Sequence, residues 1–92
     1  MKVEWSKEAR ADLARILTFN IDRSDQWAER VDSRLRQRAE ALGQAPLMGR
    51  RIAFALRALS VPDIQYVILY RVDTEHVTIL GVASTREKRS WE

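Results

Sequence analysis

QYVILYRV (residues 65–72), DTE (73–75) and HVTILGVAS (76–84) decide the architecture of this chain. The first block is nearly all β-branched, aromatic or aliphatic, the composition of a central strand packed on both sides. Asp73, Thr74 and Glu75 make a tight turn, and the last block returns as an antiparallel strand. Upstream, residues 55–61 read as a further strand, ended by Val61-Pro62-Asp63 because proline has no ladder N–H to give. At the start of the chain, residues 2–5 alternate polar and apolar and suit a short strand.

Between these strands the hydrophobic period is 3.6. Ser6 is a helix N-cap with Glu8 in the first turn, and Ala9, Leu13, Ile16, Leu17 and Ile21 fall on one face. Asp22-Arg23-Ser24-Asp25 breaks the pattern, and Ser24 caps a second helix with the stripe Trp27, Val31, Leu35, Ala39 and Leu42. Gly43 is the expected C-cap, and Pro46 prevents continuation. Helices joined by so short a turn pack as an antiparallel hairpin. The order is β-α-α-β-β-β: an α+β fold with the helical hairpin across one face of a mainly antiparallel four-stranded sheet. No repeat, low-complexity tract or linker interrupts it, so residues 1–92 read as one domain.

Composition narrows the chemistry. The 92 residues include no cysteine, which removes disulfides, thiolate nucleophiles and zinc-thiolate clusters. No cofactor and no metal site is expected. No apolar run approaches the roughly 18 residues of a membrane span, and MKVEWSKEAR lacks the apolar core of a signal peptide, so a cytoplasmic protein is expected. Net charge is +3, unevenly spread: residues 30–57 hold seven arginines against Asp32 and Glu40. Such a segment attracts an anionic partner, nucleic acid or acidic peptide.

At this length, the element order resembles the ParE/RelE toxins of type II toxin–antitoxin systems. The resemblance spans almost the whole chain. It rests on Val3-Glu4-Trp5, Ala9-Arg10-Ala11-Asp12-Leu13, Pro46-Leu47-Met48-Gly49-Arg50, Arg57-Ala58-Leu59-Ser60-Val61-Pro62, Tyr66 to Val72, and Val77-Thr78-Ile79-Leu80-Gly81-Val82. No piece is specific alone; their order and spacing are. The resemblance implies a cognate antitoxin that wraps the toxin with its C-terminal segment, and the possibility of a higher-order toxin–antitoxin assembly. It also implies one of two modes of poisoning. RelE-like members cut messenger RNA in the ribosome, and ParE-like members bind DNA gyrase and stall it.

Cutting RNA needs a base for the 2′-OH, an acid for the leaving oxygen and cations for the phosphate. Superfamily nucleases commonly place Tyr or His near the end of the last strand. Here residues 84–92 (STREKRSWE) are rich in cations and include Glu87, without Tyr or His. The sequence therefore favours the gyrase-binding mode, with no catalytic residue, and keeps the ribosome-dependent endoribonuclease as the alternative. The target contacts expected are Arg86, Lys88, Arg89 and Trp91, supported by Arg57 and Arg71 from the sheet. Phe19, at the rim of the first helix's stripe, is expected in an apolar groove for the antitoxin. Antiparallel packing would also set Asp12 opposite Arg34 and Glu8 opposite Arg38, bridging the helices by at least one ion pair.

Three other readings are open to test. His76 reads as a solvated turn residue. Trp5, Trp27, Tyr66 and Tyr70 read as core. If the two tyrosines were instead exposed on their strand, the chain could be a simple nucleic-acid-binding module that stacks bases; burial under the helices would exclude it.

Overall fold

The computed structural model describes residues 1–86. Chain order is β1 (Lys2–Trp5), α1 (Lys7–Ile21), α2 (Asp25–Ala41), β2 (Arg50–Arg51), β3 (Arg57–Val61), β4 (Tyr66–Val72) and β5 (His76–Ser84). The strands form one sheet in the order β1-β5-β4-β3-β2. β1 runs parallel to β5, and every other pair is antiparallel. The α+β reading holds, with one strand more than expected. β2 is two residues long and too short to carry any period, and β3 starts at Arg57 because the preceding residues form the β2–β3 loop. No helix among the described residues is long and apolar enough to cross a membrane.

Both N-caps form. The Ser6 and Ser24 hydroxyls accept the backbone N–H of Ala9 and Trp27, each at 3.0 Å, which satisfies donors that an unfinished first turn would leave bare. The C-terminus of α2 differs from expectation: Leu42 is its cap in right-handed conformation, and no glycine of the described chain has a positive φ. Gly43 is needed for space. A Cβ there would lie 2.7 Å from the Met1 carbonyl oxygen, and the Met1 amino group donates to the Gly43 carbonyl at 2.8 Å.

The core lies between the hairpin and one sheet face. Leu13 and Ile16 of α1 and Val31 and Leu35 of α2 meet Leu59, Val61, Ile68, Tyr70, Val77 and Ile79. Ile21, expected in the stripe, is 48% exposed, while Asn20 beside it is only 2% exposed. Trp5 and Trp27 pack against the core from partly buried positions. Neither expected bridge between the helices is present. A bulge between Leu69 and Tyr70 shifts the β4–β5 register, so Leu69 faces Gly81 and Tyr70 faces Ile79. The Val82 N–H near this break donates to the Asp12 carboxylate at 2.9 Å, which fastens α1 to β5 and engages Asp12 away from Arg34. Arg34 pairs with Asp63 at 3.0 Å, and Arg38 reaches the Met48 sulfur at 3.5 Å.

Candidate functional site

A groove of about 570 Å³ opens where the α1–α2 turn meets the β3–β4 turn and the end of β5. Its apolar wall is Ile16, Phe19, Trp27 and Ile64. Phe19 is 60% exposed, which fits its expected place in an apolar groove. Arg15, Arg23 and Arg86 stand at the rim, and Asp63 is the one carboxylate in the lining. That carboxylate is neutralised from outside. The Arg34 guanidinium bonds it at 3.0 Å and Arg30 lies at 3.8 Å, and the Arg34 hydrogen bond holds its pKa below the ordinary 3.8. The rim is therefore net positive.

The floor is polar and nearly closed on itself. Asn20 donates through Nδ2 to the Ile16 carbonyl at 2.8 Å and to the Tyr66 hydroxyl at 3.1 Å. Its Oδ1 accepts from Trp27 Nε1 at 2.9 Å. One side chain thus ties α1, α2 and β4 together, which explains a polar residue in an apolar stripe. Tyr66 accepts in this network, and nothing among the described residues takes its hydroxyl proton. Beside it, Gln65 has φ 63°, a left-handed conformation that favours glycine and is found where a surrounding site over-determines the backbone. Its carbonyl accepts from the Thr85 N–H at 3.0 Å, and its side-chain oxygen accepts from Arg86 Nε. The groove combines an apolar wall, a cationic rim and one phenolic donor, and suits a segment carrying both apolar side chains and carboxylates.

The other expected target contacts are not gathered at one place. Arg57 pairs in register with Tyr70, on the helix-covered face, whereas Arg71 pairs with Thr78 on the opposite face. Arg57 is half-buried, and its Nη1 donates to the Gly49 carbonyl at 2.7 Å and the Leu47 carbonyl at 3.4 Å. Arg71 is exposed, and Arg86 belongs to the groove. Lys88, Arg89 and Trp91 lie outside the described residues, as does Glu87.

Proton-transfer groups are few. The face turned from the helices carries Ala58, Ser60, Val67, Leu69, Arg71, Thr78 and Ala83, and at its β1 edge Glu4 and His76, 3.6 Å apart. Tyr70 is wholly buried, donates to the Pro46 carbonyl and accepts from the Gly49 N–H, each at 2.8 Å; burial pushes its pKa above 10.0. His76 stands at the start of β5, beside Glu4 and Asp73, at the far end of that strand from the groove. With Tyr66 and Tyr70 both buried in the core under the helices, there is no base-stacking platform on β4, and the simple nucleic-acid-binding module is excluded. Among the described residues no group of three or more His, Asp or Glu side chains could hold a metal ion.

The sequence reading missed the groove floor. An asparagine within an apolar stripe was the available signal for Asn20; nothing local marks the spare proton on Tyr66.

Comparisons agree with this architecture. Residues 3–89 match the family model described as ParE toxin of type II toxin–antitoxin system, parDE. A curated relative, Toxin RelE3 of Caulobacter vibrioides, is 33% identical over 89 residues, covering 95% of this chain and 97% of that protein. A solved structure described as the chromosomal ParDE TA system from P. aeruginosa superposes with a TM-score of 0.82 at 19% identity, over 94% of this chain and 97% of that one; at that identity the likeness concerns the fold. The chain belongs to the ParE toxin family and is the toxin of a type II toxin–antitoxin pair, with a cognate antitoxin as its partner.

Proposed function

We propose that this toxin acts in the cytoplasm by binding DNA gyrase and not by cutting a bond, and that the antitoxin neutralises it by filling the groove beside Phe19. The observation that carries the first half is the fate of the proton-transfer groups. Tyr70 spends its hydroxyl on the loop after α2. Tyr66 accepts from Asn20 at the groove floor, with no imidazole in the lining and its one carboxylate, Asp63, held by Arg34. His76, beside Glu4 on the face away from the helices, sits at the other end of β5 from Arg86. A ribonuclease needs a general base within hydrogen-bond reach of the 2′-OH; a binding poison needs none. Arg86 with Lys88, Arg89 and Trp91 supplies the target contact, Arg71 adds a cation, and Arg57 acts through the loop it holds. The groove's positive rim and apolar wall support capture of an acidic, amphipathic segment, with buried area offsetting that segment's ordering entropy.

One observation favours a second reading. The relative named Toxin RelE3 shares its name with the RelE-type toxins, and a cationic end to β5 would suit RNA phosphates. Purified gyrase supercoiling and cleavage of ribosome-bound message, run side by side with the wild-type chain, separate the two. Stalled supercoiling with intact message is expected. Cut message with undisturbed supercoiling would replace this proposal by the ribosome-dependent endoribonuclease.

A further inference from the structure

The loop between β2 and β3 breaks the ordinary rule for turns. Hairpin loops favour Gly, Asn, Asp, Pro and Ser, each for a backbone or solvation reason. Here residues 52–56 are Ile52-Ala53-Phe54-Ala55-Leu56, with no polar side chain. Phe54 at the tip is 91% exposed, the most exposed large hydrophobic residue of the described chain. A lone exposed ring would mean little, but here Ala53, Phe54 and Ala55 are exposed together between half-buried Ile52 and Leu56, and a contiguous apolar patch of this kind marks a contact site.

The ring is presented on a bonded frame. The Ile52 N–H donates to the Leu56 carbonyl at 3.0 Å and the Leu56 N–H to the Ala53 carbonyl at 3.4 Å. Arg51 Nη2 donates to the Phe54 carbonyl at 3.1 Å, so a guanidinium beside the tip fixes the backbone that bears the ring. A preorganised anchor loses less freedom on binding than a floppy one.

Charge identifies the partner's chemistry. Residues 41–62 contain Arg50, Arg51 and Arg57 and not one Asp or Glu. Nucleic acid is a poor match for the apolar part: successive bases need a row of aromatic platforms, and this loop offers one phenyl between two alanines. A protein pocket fits better, because interface anchors are aromatic side chains seated in a desolvated pocket with arginines nearby. The tip is also separate from the groove. β3 leads from the β2–β3 loop to the β3–β4 turn that lines the groove, and five strand residues span about 16 Å at roughly 3.3 Å each.

We infer that the β2–β3 tip is a second, independent protein-docking element, in which Phe54 seats in an apolar pocket rimmed by carboxylates on the protein the toxin poisons. Naming gyrase as that protein rests on the proposed function; the tip itself does not. The test compares wild type with Phe54→Ser, using growth arrest on induction, binding to purified gyrase and binding to the antitoxin. Phe54→Ser should weaken gyrase binding by about tenfold or more, relieve growth arrest, and bind antitoxin as wild type does, which also shows that it folds. Equal growth arrest by the two chains, or equal gyrase binding where wild type does bind gyrase, would overturn the inference. Growth arrest lost in the variant while wild type ignores gyrase would keep the tip and overturn the target. A wild-type chain that neither arrests growth nor binds gyrase overturns both. Two further results would overturn the inference by assigning the tip elsewhere: duplex DNA bound by wild type and not by the variant, or a dimer of the toxin that Phe54→Ser dissolves.

Discussion

Tyr66 and Tyr70 stand four residues apart on one face of one strand, yet their hydroxyls do different work. Tyr70 is closed: its oxygen gives to Pro46 and receives from Gly49, which clamps the loop after α2 to the sheet. Tyr66 is half-open: its oxygen receives from Asn20 and keeps its proton at the floor of the groove. A strand face buried along its length can thus be a lock at one end and a recognition surface at the other. Which one it is depends on whether the hydroxyl's partners are all inside the chain.

The strongest test of that contrast attacks the lock without touching the tyrosine. A Cβ on Gly49 would lie 2.7 Å from the Tyr70 hydroxyl and 2.8 Å from the Ala58 carbonyl oxygen, and a backbone oxygen has little room to give. Gly49→Ala should cost about 3 kcal/mol, read as a lowered denaturation midpoint with unchanged slope. A loss below about 1 kcal/mol would mean that the joint is slack. Tyr70→Phe comes next, at about 2 kcal/mol, because it strands a buried N–H and a carbonyl; antitoxin affinity per folded molecule should not change. Tyr66→Phe should cost only about 1 kcal/mol of stability, since only the Asn20 contact is lost. It should, however, weaken antitoxin binding, the reverse of the Tyr70 pattern. If both phenylalanine variants behave alike, the contrast is empty.

The smallest expected effect is on pH dependence. The Arg34 hydrogen bond lowers the folded pKa of Asp63, and backbone N–H groups of Glu75 and His76 lower that of Asp73. Carboxylates with depressed folded values stabilise the fold above the unfolded value near 3.8, and that contribution is lost as pH falls through the folded values. Asp63→Asn should therefore lower the melting temperature slightly at neutral pH, slightly because the group is exposed, and converge with wild type as pH falls through the folded value. Tyr70 has the opposite sign: its raised pKa gives stability that is present below 10.0 and lost as pH rises through the folded value.

Much of this fold was legible because its signals are local. Ser6 and Ser24 declare the helix starts, and Val31, Leu35 and Ala39 recur at helical spacing. The run from Tyr66 to Val72 has the composition of a central strand. What escaped depends on contacts between distant segments. Arg50–Arg51 becomes a strand only because β3 lies beside it. Asp12 looked like half of an ion pair with Arg34, but an N–H at a bulge seventy positions away claims it. Gly81, a glycine inside a strand pattern, was the available hint of that irregularity. Arg57 and Arg71 read as one basic patch because sequence gives spacing along strands and not the register between them. A one-residue difference in register puts a side chain on the other face.

The parallel pairing of β1 with β5 sets an order in time. Lys2 finds its sheet partner only when His76 has been made, and β5 lies between β1 and β4. During synthesis the first strand waits for the last, while the helical hairpin can already close on itself. Contacts of such long sequence separation make folding slow compared with a helical bundle of equal size. A half-made chain therefore has α1 and α2 but no sheet on which to set them, and the groove floor, which needs Tyr66, does not yet exist. If the antitoxin fills that groove, as proposed, the toxin's own fold and the antitoxin's hold on it are completed at the same late step.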